Sequence, residues 1–142
     1  MPKRKAEARW EGNLPDGNGK MKTESGVLDN NYSFGTRFED AAGTNPEELI
    51  GAALSGCFSM ALAHLLDEEG HNPKSVFTEA EVSLVKSGDG FKIPVITLDT
   101  EVEAPGLDSD KFQAYAKEAK ENCPVGKALK SVEVQLNAKL VS

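Results

Sequence analysis

The chain has 142 residues, 39% of them hydrophobic and 27% charged, and a formal net charge of -7. That length suffices for one domain with a buried core, in the composition range of globular proteins. The acidic balance argues against nucleic acid as the main partner, because phosphate binding needs a basic field.

The start "MPKRK" is basic, but Glu7 follows at once and no apolar signal core does, so residues 1–5 read as a solvated tail. With no internal repeat, low-complexity segment or long linker, residues 1–142 read as a single domain. The expected compartment is the cytoplasm. There, the chain's two cysteines, Cys57 and Cys123, point to catalytic, redox or packing roles rather than to a permanent disulfide.

"EARWEGNLPDGNGKMKTES" reads as two strands around a turn, since Pro15, Asp16, Gly17, Asn18 and Gly19 cluster between extended segments. "YSFGTRF" reads as a third strand. Next, "GTNPEELIG" signals a helix start, with Asn45 as N-cap, Pro46 in the first turn and Glu48 in capping-box position. This helix is expected to run to about Glu69 and stop at Gly70, ahead of Pro73.

The segment from Leu49 to Leu66 is also the one transmembrane suspect. It is barely long enough to span a bilayer. Gly51, Ser55, Gly56, Ser59 and His64 interrupt it, and acidic residues flank both ends, so no membrane is expected as partner. Its apolar residues fall on nearly every face, which predicts burial on every side. A chain this short has few elements to enclose such a helix, and a second copy is the natural supplier.

"VFTEAEVSLVKSGDGFKIPVITLDTEVEAPG" reads as two long strands joined by the turn "SGDG". Residues 108–122 form an amphipathic helix with Phe112, Tyr115, Ala116 and Ala119 on one face. Pro124 disfavours helical geometry at Cys123, so that helix ends there and a short one, "PVGKALK", begins. "SVEVQLNAKLV" alternates apolar and polar, as a final strand does. The predicted order is three strands, a long helix, two strands, two helices and a strand, an α+β class.

Cys123 would sit at the N-cap of the short helix, where the dipole favours a thiolate. Cys57 lies mid-helix among apolar residues, and apolar burial alone leaves a thiol inert. A reactive Cys57 therefore needs a cation from elsewhere. Arg37 in "GTRFED" is the main candidate. Arg9, beside Trp10, is the only other arginine past the tail. Glu47 is placed to orient Arg37 through a bidentate pair. Cys57 follows Glu47 by ten residues, about 15 Å of helical rise. One chain's Glu47 therefore cannot touch its own Cys57, and a dimer is the arrangement that brings one helix start to the other helix middle.

Plainer readings stand beside these. On pattern alone Cys57 reads first as a small packing residue and Arg37 as an ion-paired surface or strand residue, with Glu47 as a first-turn acid and Cys123 as a simple cap. A zinc site from Cys57, Cys123, His64 and His71 has no close-spaced ligand pair behind it. Phosphate-loop, dinucleotide, HExxH and GxSxG motifs are absent.

The run "TESGVLDNNYSFGTRFEDAAGTNPEELIGAALSGCFSMAL", with "EAPGLDSDKF" and "ENCPVGKAL" downstream, closely resembles the OsmC/Ohr family (osmotically inducible protein C and organic hydroperoxide resistance). The extended "TESGVL…FGTRFE" segment places it nearer the OsmC branch. The resemblance runs from about Ala6 to the end. It implies an intertwined α+β homodimer with antiparallel sheets wrapped around long central helices. It also implies thiol-dependent reduction of organic hydroperoxides in oxidative and osmotic stress defence. By that resemblance Cys57 is the peroxidatic thiolate, Cys123 the resolving cysteine that forms a disulfide with it, and Arg37 with Glu47 the activating pair.

Phe34, Phe38 and Phe58 would supply an apolar pocket for alkyl peroxides. The resemblance implies no metal or organic cofactor. It implies an external dithiol reductant, which in the hydroperoxide-resistance branch is a lipoylated protein. A non-catalytic stress protein binding small molecules in the same pocket is the competing reading. A thiol oxidoreductase acting on proteins is weaker, because no CxxC motif is present.

Overall fold

The computed structural model describes residues 1–142. They group into two compact units, Met1–Leu49 and Ile50–Ser142.

The first unit is built on an antiparallel sheet of β1 (Ala6–Glu11), β2 (Asn18–Thr23) and β3 (Asp29–Tyr32), in that order. Trp10 pairs with Gly19, and Gly19 with Tyr32. The two aromatic rings approach to 5.5 Å between centroids over the glycine, and a Cβ there would meet both rings at 2.6 Å. Gly19 is the only buried residue of the three strands. A sheet this open has no core of its own and needs packing from outside to be stable.

β3 stops at Tyr32, and Phe34–Phe38 is a short helix, α1, where the sequence reads as strand. The cause is local. Ser33 caps the turn: its Oγ accepts from Thr36 N–H at 3.2 Å, and Thr36 Oγ1 accepts from Ser33 N–H at 2.9 Å. This reciprocal cap satisfies two donors that a strand would have left to a neighbour. Arg37 is thus a helical residue.

The long helix α2 spans Pro46–Glu68. Asn45 caps it as expected, its Oδ1 accepting from Glu48 N–H at 2.8 Å. Glu48 does not close a capping box, because its carboxylate accepts from Thr44 Oγ1 at 3.0 Å instead. At the far end Gly70 takes φ +80°. His71 N–H donates to Leu66 O at 2.8 Å and Gly70 N–H to Asp67 O at 3.0 Å, a Schellman stop that requires the left-handed glycine.

In the second unit β4 (Ser75–Val82), β7 (Val95–Glu103) and β8 (Glu133–Leu140) form a sheet in the order β4-β7-β8. The two expected long strands are interrupted: Pro94 has no amide hydrogen for a ladder, and the "SGDG" turn closes a separate small hairpin, β5 (Val85–Ser87) with β6 (Gly90–Lys92). β4 and β7 are antiparallel, as are the strands of the first unit, but β7 and β8 run parallel. The connection between β7 and β8 carries α3 (Ser109–Asn122) and α4 (Pro124–Ala128), the kind of long crossover that parallel pairing requires.

The core joins one stripe of α2 (Leu54, Phe58, Leu62 and Leu66) to Ile96, Leu98 and Val102 of β7 and to Phe112, Ala116 and Ala119 of α3. The four α2 residues recur every fourth position, one face of a helix. A hydroxyl chain crosses this core. Ser59 donates to Thr78 at 2.7 Å, Thr78 and Thr100 are 2.9 Å apart, and Thr100 donates to Phe77 O at 3.0 Å.

Within one chain α2 is not buried on every side. Ala52, Ala53 and Gly56 are exposed, Met60 is 77% exposed, and only 28% of the most apolar window is buried. One chain supplies a cover for one stripe alone.

Candidate active site

Two constellations contain the residues singled out by sequence. In the first unit, the α1 cap directs Arg37 to Glu47 at the start of α2. Arg37 Nε and Nη2 donate to the same oxygen, Glu47 Oε1, at 3.0 and 2.8 Å. The fork is therefore not bidentate across both carboxylate oxygens. Glu47 Oε2 is buried with no hydrogen-bond partner. The guanidinium also lies 5.3 Å from the centre of the Phe38 ring, and the Phe34 and Phe38 rings meet tilted, 5.0 Å between centroids. Asn45 ties α1 to the start of α2 by donating to Thr36 O at 2.9 Å. Arg9 stays exposed on β1, near Glu11.

In the second unit the two cysteines come together. Cys57 lies between the core residues Leu54 and Phe58 on α2 and is itself half-buried. Cys123 is fully buried. It ends α3, its N–H donating to Ala119 O at 3.0 Å, and opens α4, its Sγ accepting from Gly126 N–H at 3.5 Å. Both thiols are free.

The N-cap expectation for Cys123 holds in geometry and fails in electrostatics. Burial pushes the Cys123 thiol above its ordinary range, and a hydrogen bond with Cys57 pushes the same way. The N–H groups of Gly126 and Val125 pull it down but do not prevail. Desolvation of a thiolate outweighs the few dipoles of a five-residue helix.

The histidines stand apart from this pair. His64 contacts Glu68 on the outer side of α2 at 2.6 Å, and the His71 ring faces Tyr115. No three His, Cys, Asp or Glu side chains converge as metal ligands. Phe58 belongs to the core and is fully buried. Sequence reading missed Ser33 and Thr36, which make Arg37 helical. The signal was present as "SFGT", with threonine in place of the usual Glu or Gln of a capping box.

Residues 39–137 match the family model described as OsmC-like protein. Over 140 residues the chain is 49% identical to the "Peroxiredoxin OsmC" of Escherichia coli K12, covering 98% of this chain and 97% of that one. Over 125 residues it is 37% identical to the "Organic hydroperoxide resistance protein OhrB" of Bacillus subtilis 168, covering 85% and 89%. The crystal structure of Bacillus subtilis OhrB superposes with a TM-score of 0.71 at 32% identity, over 95% of this chain and 98% of that one. An OsmC-like protein from Mycoplasma pneumoniae shares the fold at a TM-score of 0.78 and 14% identity, over 99% of both chains. The shared sequence over nearly the full length and the shared α+β fold agree with the motifs around Arg37, Glu47, Cys57 and Cys123: this chain belongs to the OsmC-like protein family.

Proposed function

We propose that this chain is a thiol-dependent peroxidase that reduces organic hydroperoxides to alcohols, in defence against oxidative and osmotic stress. The observation that carries the reading is the meeting of its only two cysteines. Cys57 is half-buried and approachable, and Cys123 waits buried as its hydrogen-bonding neighbour. The relatives named for peroxiredoxin activity and for organic hydroperoxide resistance support the same reading.

The Cys57 thiolate attacks the distal oxygen of the hydroperoxide. An S–O bond forms, the O–O bond breaks, and the alkoxide takes a proton and leaves as alcohol. Cys57 is left as sulfenic acid. Cys123 then attacks the Cys57 sulfur, a disulfide forms and water leaves. An external dithiol, from a small molecule or a lipoylated protein, returns both sulfurs to thiols. No metal or organic cofactor enters any step.

In this proposal Arg37 holds the Cys57 thiolate and Glu47 aligns the guanidinium. Glu47 and Cys57 share the continuous helix α2, separated by about 15 Å of rise. The Arg37–Glu47 pair therefore serves the Cys57 of a second copy, and the working unit is a homodimer in the cytoplasm. The uncovered side of α2 and the coreless β1–β3 sheet support this assembly.

Consumption of cumene hydroperoxide with a dithiol tests the reading. Turnover by the wild type and none by Cys57→Ser is expected. Full turnover by Cys57→Ser would overturn it. Mixed dimers carrying Arg37→Glu in one subunit and Cys57→Ser in the other separate cis from trans activation. They keep one intact site only if the pair acts across the dimer.

A further inference from the structure

The two sulfurs are arranged in series. Cys57 is half-buried, at the border between the core stripe of Leu54 and Phe58 and the open stripe of α2, where Ala53, Gly56 and Met60 are exposed. Cys123 is 0% exposed, and its thiol has Cys57 as hydrogen-bond neighbour. An electrophile from outside therefore meets Cys57, and Cys123 acts only on what Cys57 has taken up. Nothing in that second step is particular to a sulfenic acid. Any adduct of Cys57 whose added group departs readily is open to the same displacement.

The first step sorts electrophiles by leaving group. An alkyl hydroperoxide expels an alkoxide, a strong base that needs a cation or a proton as it departs. Within its own chain Cys57 has a thiol as hydrogen-bond neighbour and no cation. Arg37 is held by Glu47, which helical rise places about 15 Å from Cys57. An alkyl hydropersulfide, R–S–SH, is the sulfur counterpart of a hydroperoxide. It expels an alkyl thiolate, a far weaker base that leaves without such help. A Cβ at Gly56, beside Cys57, would meet nothing within 4 Å, so a terminal –SH has room to approach.

We propose that the pair is also a hydropersulfide reductase: Cys57 takes the outer sulfur of an alkyl hydropersulfide, and Cys123 releases that sulfur as hydrosulfide. The inference shares the Cys57–Cys123 disulfide with the proposed function, but it needs no hydroperoxide and no Arg37–Glu47 pair at the departing group.

The steps balance. The Cys57 thiolate bonds to the terminal sulfur of R–S–SH, the S–S bond breaks, and RS⁻ leaves with the electron pair and takes a proton. Cys57 now carries one extra sulfur, as Cys57–S–SH. The Cys123 thiolate bonds to Cys57 Sγ and expels HS⁻. The transferred sulfur has gained two electrons, and the protein dithiol has lost two by becoming a disulfide. The external dithiol of the proposed cycle returns both thiols.

Reduced full-length protein is mixed without oxygen with glutathione hydropersulfide purged of free sulfide, and sulfide is trapped with monobromobimane in timed samples. Wild type is expected to release about one equivalent of sulfide per chain and to form the Cys57–Cys123 disulfide. Cys123→Ser is expected to stop with Cys57 one sulfur heavier and no sulfide released. Cys57→Ser, and wild type alkylated at the approachable Cys57 with iodoacetamide, should do neither. Sulfide release by wild type no greater than by the alkylated protein would overturn the proposal, as would wild-type release from Cys123→Ser.

The same samples are treated with cumene hydroperoxide. Disulfide formation with the hydroperoxide alone would overturn this inference and leave the proposed function standing, and formation with the hydropersulfide alone would do the reverse. Arg37→Ala separates the two leaving groups. The ratio of the hydroperoxide to the hydropersulfide rate constant is expected to fall roughly tenfold, since the guanidinium helps only the alkoxide. An unchanged ratio would overturn the leaving-group argument on which the inference rests.

Discussion

Arg37 places Nε and Nη2 on one oxygen of Glu47 and leaves the other carboxylate oxygen buried without a partner. The spare donor capacity of the guanidinium and the spare acceptor of the carboxylate are what an incoming group would engage. Removing the arginine strips Glu47 of both bonds. Arg37→Ala is expected to lower stability by about 1.5–3 kcal/mol, the range for hydrogen bonds to charged groups. Arg37 is 38% exposed, which keeps the expectation at the low end. Urea midpoints at constant m-value read it. Arg37→Lys should recover the charge but not the fork. In both variants iodoacetamide should modify Cys57 more slowly at neutral pH; an unaltered rate would remove Arg37 from thiolate activation.

The two cysteines should fail differently. Cys57→Ser is expected to consume no hydroperoxide. Cys123→Ser should reduce one equivalent per subunit and then stall, because the Cys57 sulfenic acid has lost the thiol beside it. Quench-flow with mass detection of sulfenic and sulfinic acid distinguishes the two. Sustained turnover by Cys123→Ser with a dithiol would show that reductant reaches the sulfenic acid directly.

Much of this arrangement was legible in sequence. Asn45, Pro46 and Gly70 bounded α2 because caps and stops are local chemistry, satisfied by residues a few positions apart. Cys123 between α3 and α4 followed from Pro124 for the same reason. Two of the differences arose where geometry is set by partners far along the chain. The parallel course of β8 depends on where α3 and α4 return the backbone, which alternation within β8 does not record. The direction in which the Cys123 thiol is pushed depends on its complete burial in the folded core, which no helix-dipole argument includes. The switch of Phe34–Phe38 from strand to helix was a local signal misread, since Ser33 and Thr36 were both in view.

Thr100 anchors the hydroxyl chain that fastens α2 to the sheet two residues beyond Cys57. It is buried, donates to Phe77 O and shares a hydrogen bond with Thr78. Thr100→Val keeps the shape and leaves the Phe77 carbonyl without this donor. A loss of about 1–3 kcal/mol is expected, the cost of orphaned buried polar groups. Thr100→Ser should recover most of it. Chemical denaturation of the three proteins measures the series, and equal midpoints for valine and threonine would show that water replaces the bond.

The Cys123 thiol gives stability a defined pH slope. Burial first and Cys57 second hold it protonated in the folded chain above the ordinary thiol range. Between that range and the raised folded value, the unfolded chain has lost the proton and the folded chain has kept it. The folded state then binds more protons, so stability falls as pH rises through this alkaline window and is intact below it. Urea midpoints from neutral to alkaline pH should fall more steeply for wild type than for Cys123→Ser, which lacks the titrating group. Parallel slopes would reject the shift. Disulfide formation after one equivalent of peroxide should accelerate across the same window, since the attacking form of Cys123 is the thiolate.

The open side of α2 provides the sharpest test of assembly. Gly56 has nothing within 4 Å of where a Cβ would stand, and Met60, four residues on, is 77% exposed. In an isolated chain, Gly56→Leu and Met60→Glu would touch only water and change stability little, apart from a small gain from replacing a helical glycine. In a dimer packed on this face the outcome reverses. A leucine would wedge apart backbones that the small residues let approach, and a buried glutamate without a partner would cost several kcal/mol. Both variants are therefore expected to shift the protein from dimer to monomer in light scattering and to lower the thermal midpoint. Their peroxidase activity should fall together with dimer content if, as proposed, each Cys57 is served by the other chain's Arg37. Dimers that persist unchanged in both variants would place the interface elsewhere and would separate the Arg37–Glu47 pair from the neighbouring subunit's thiol.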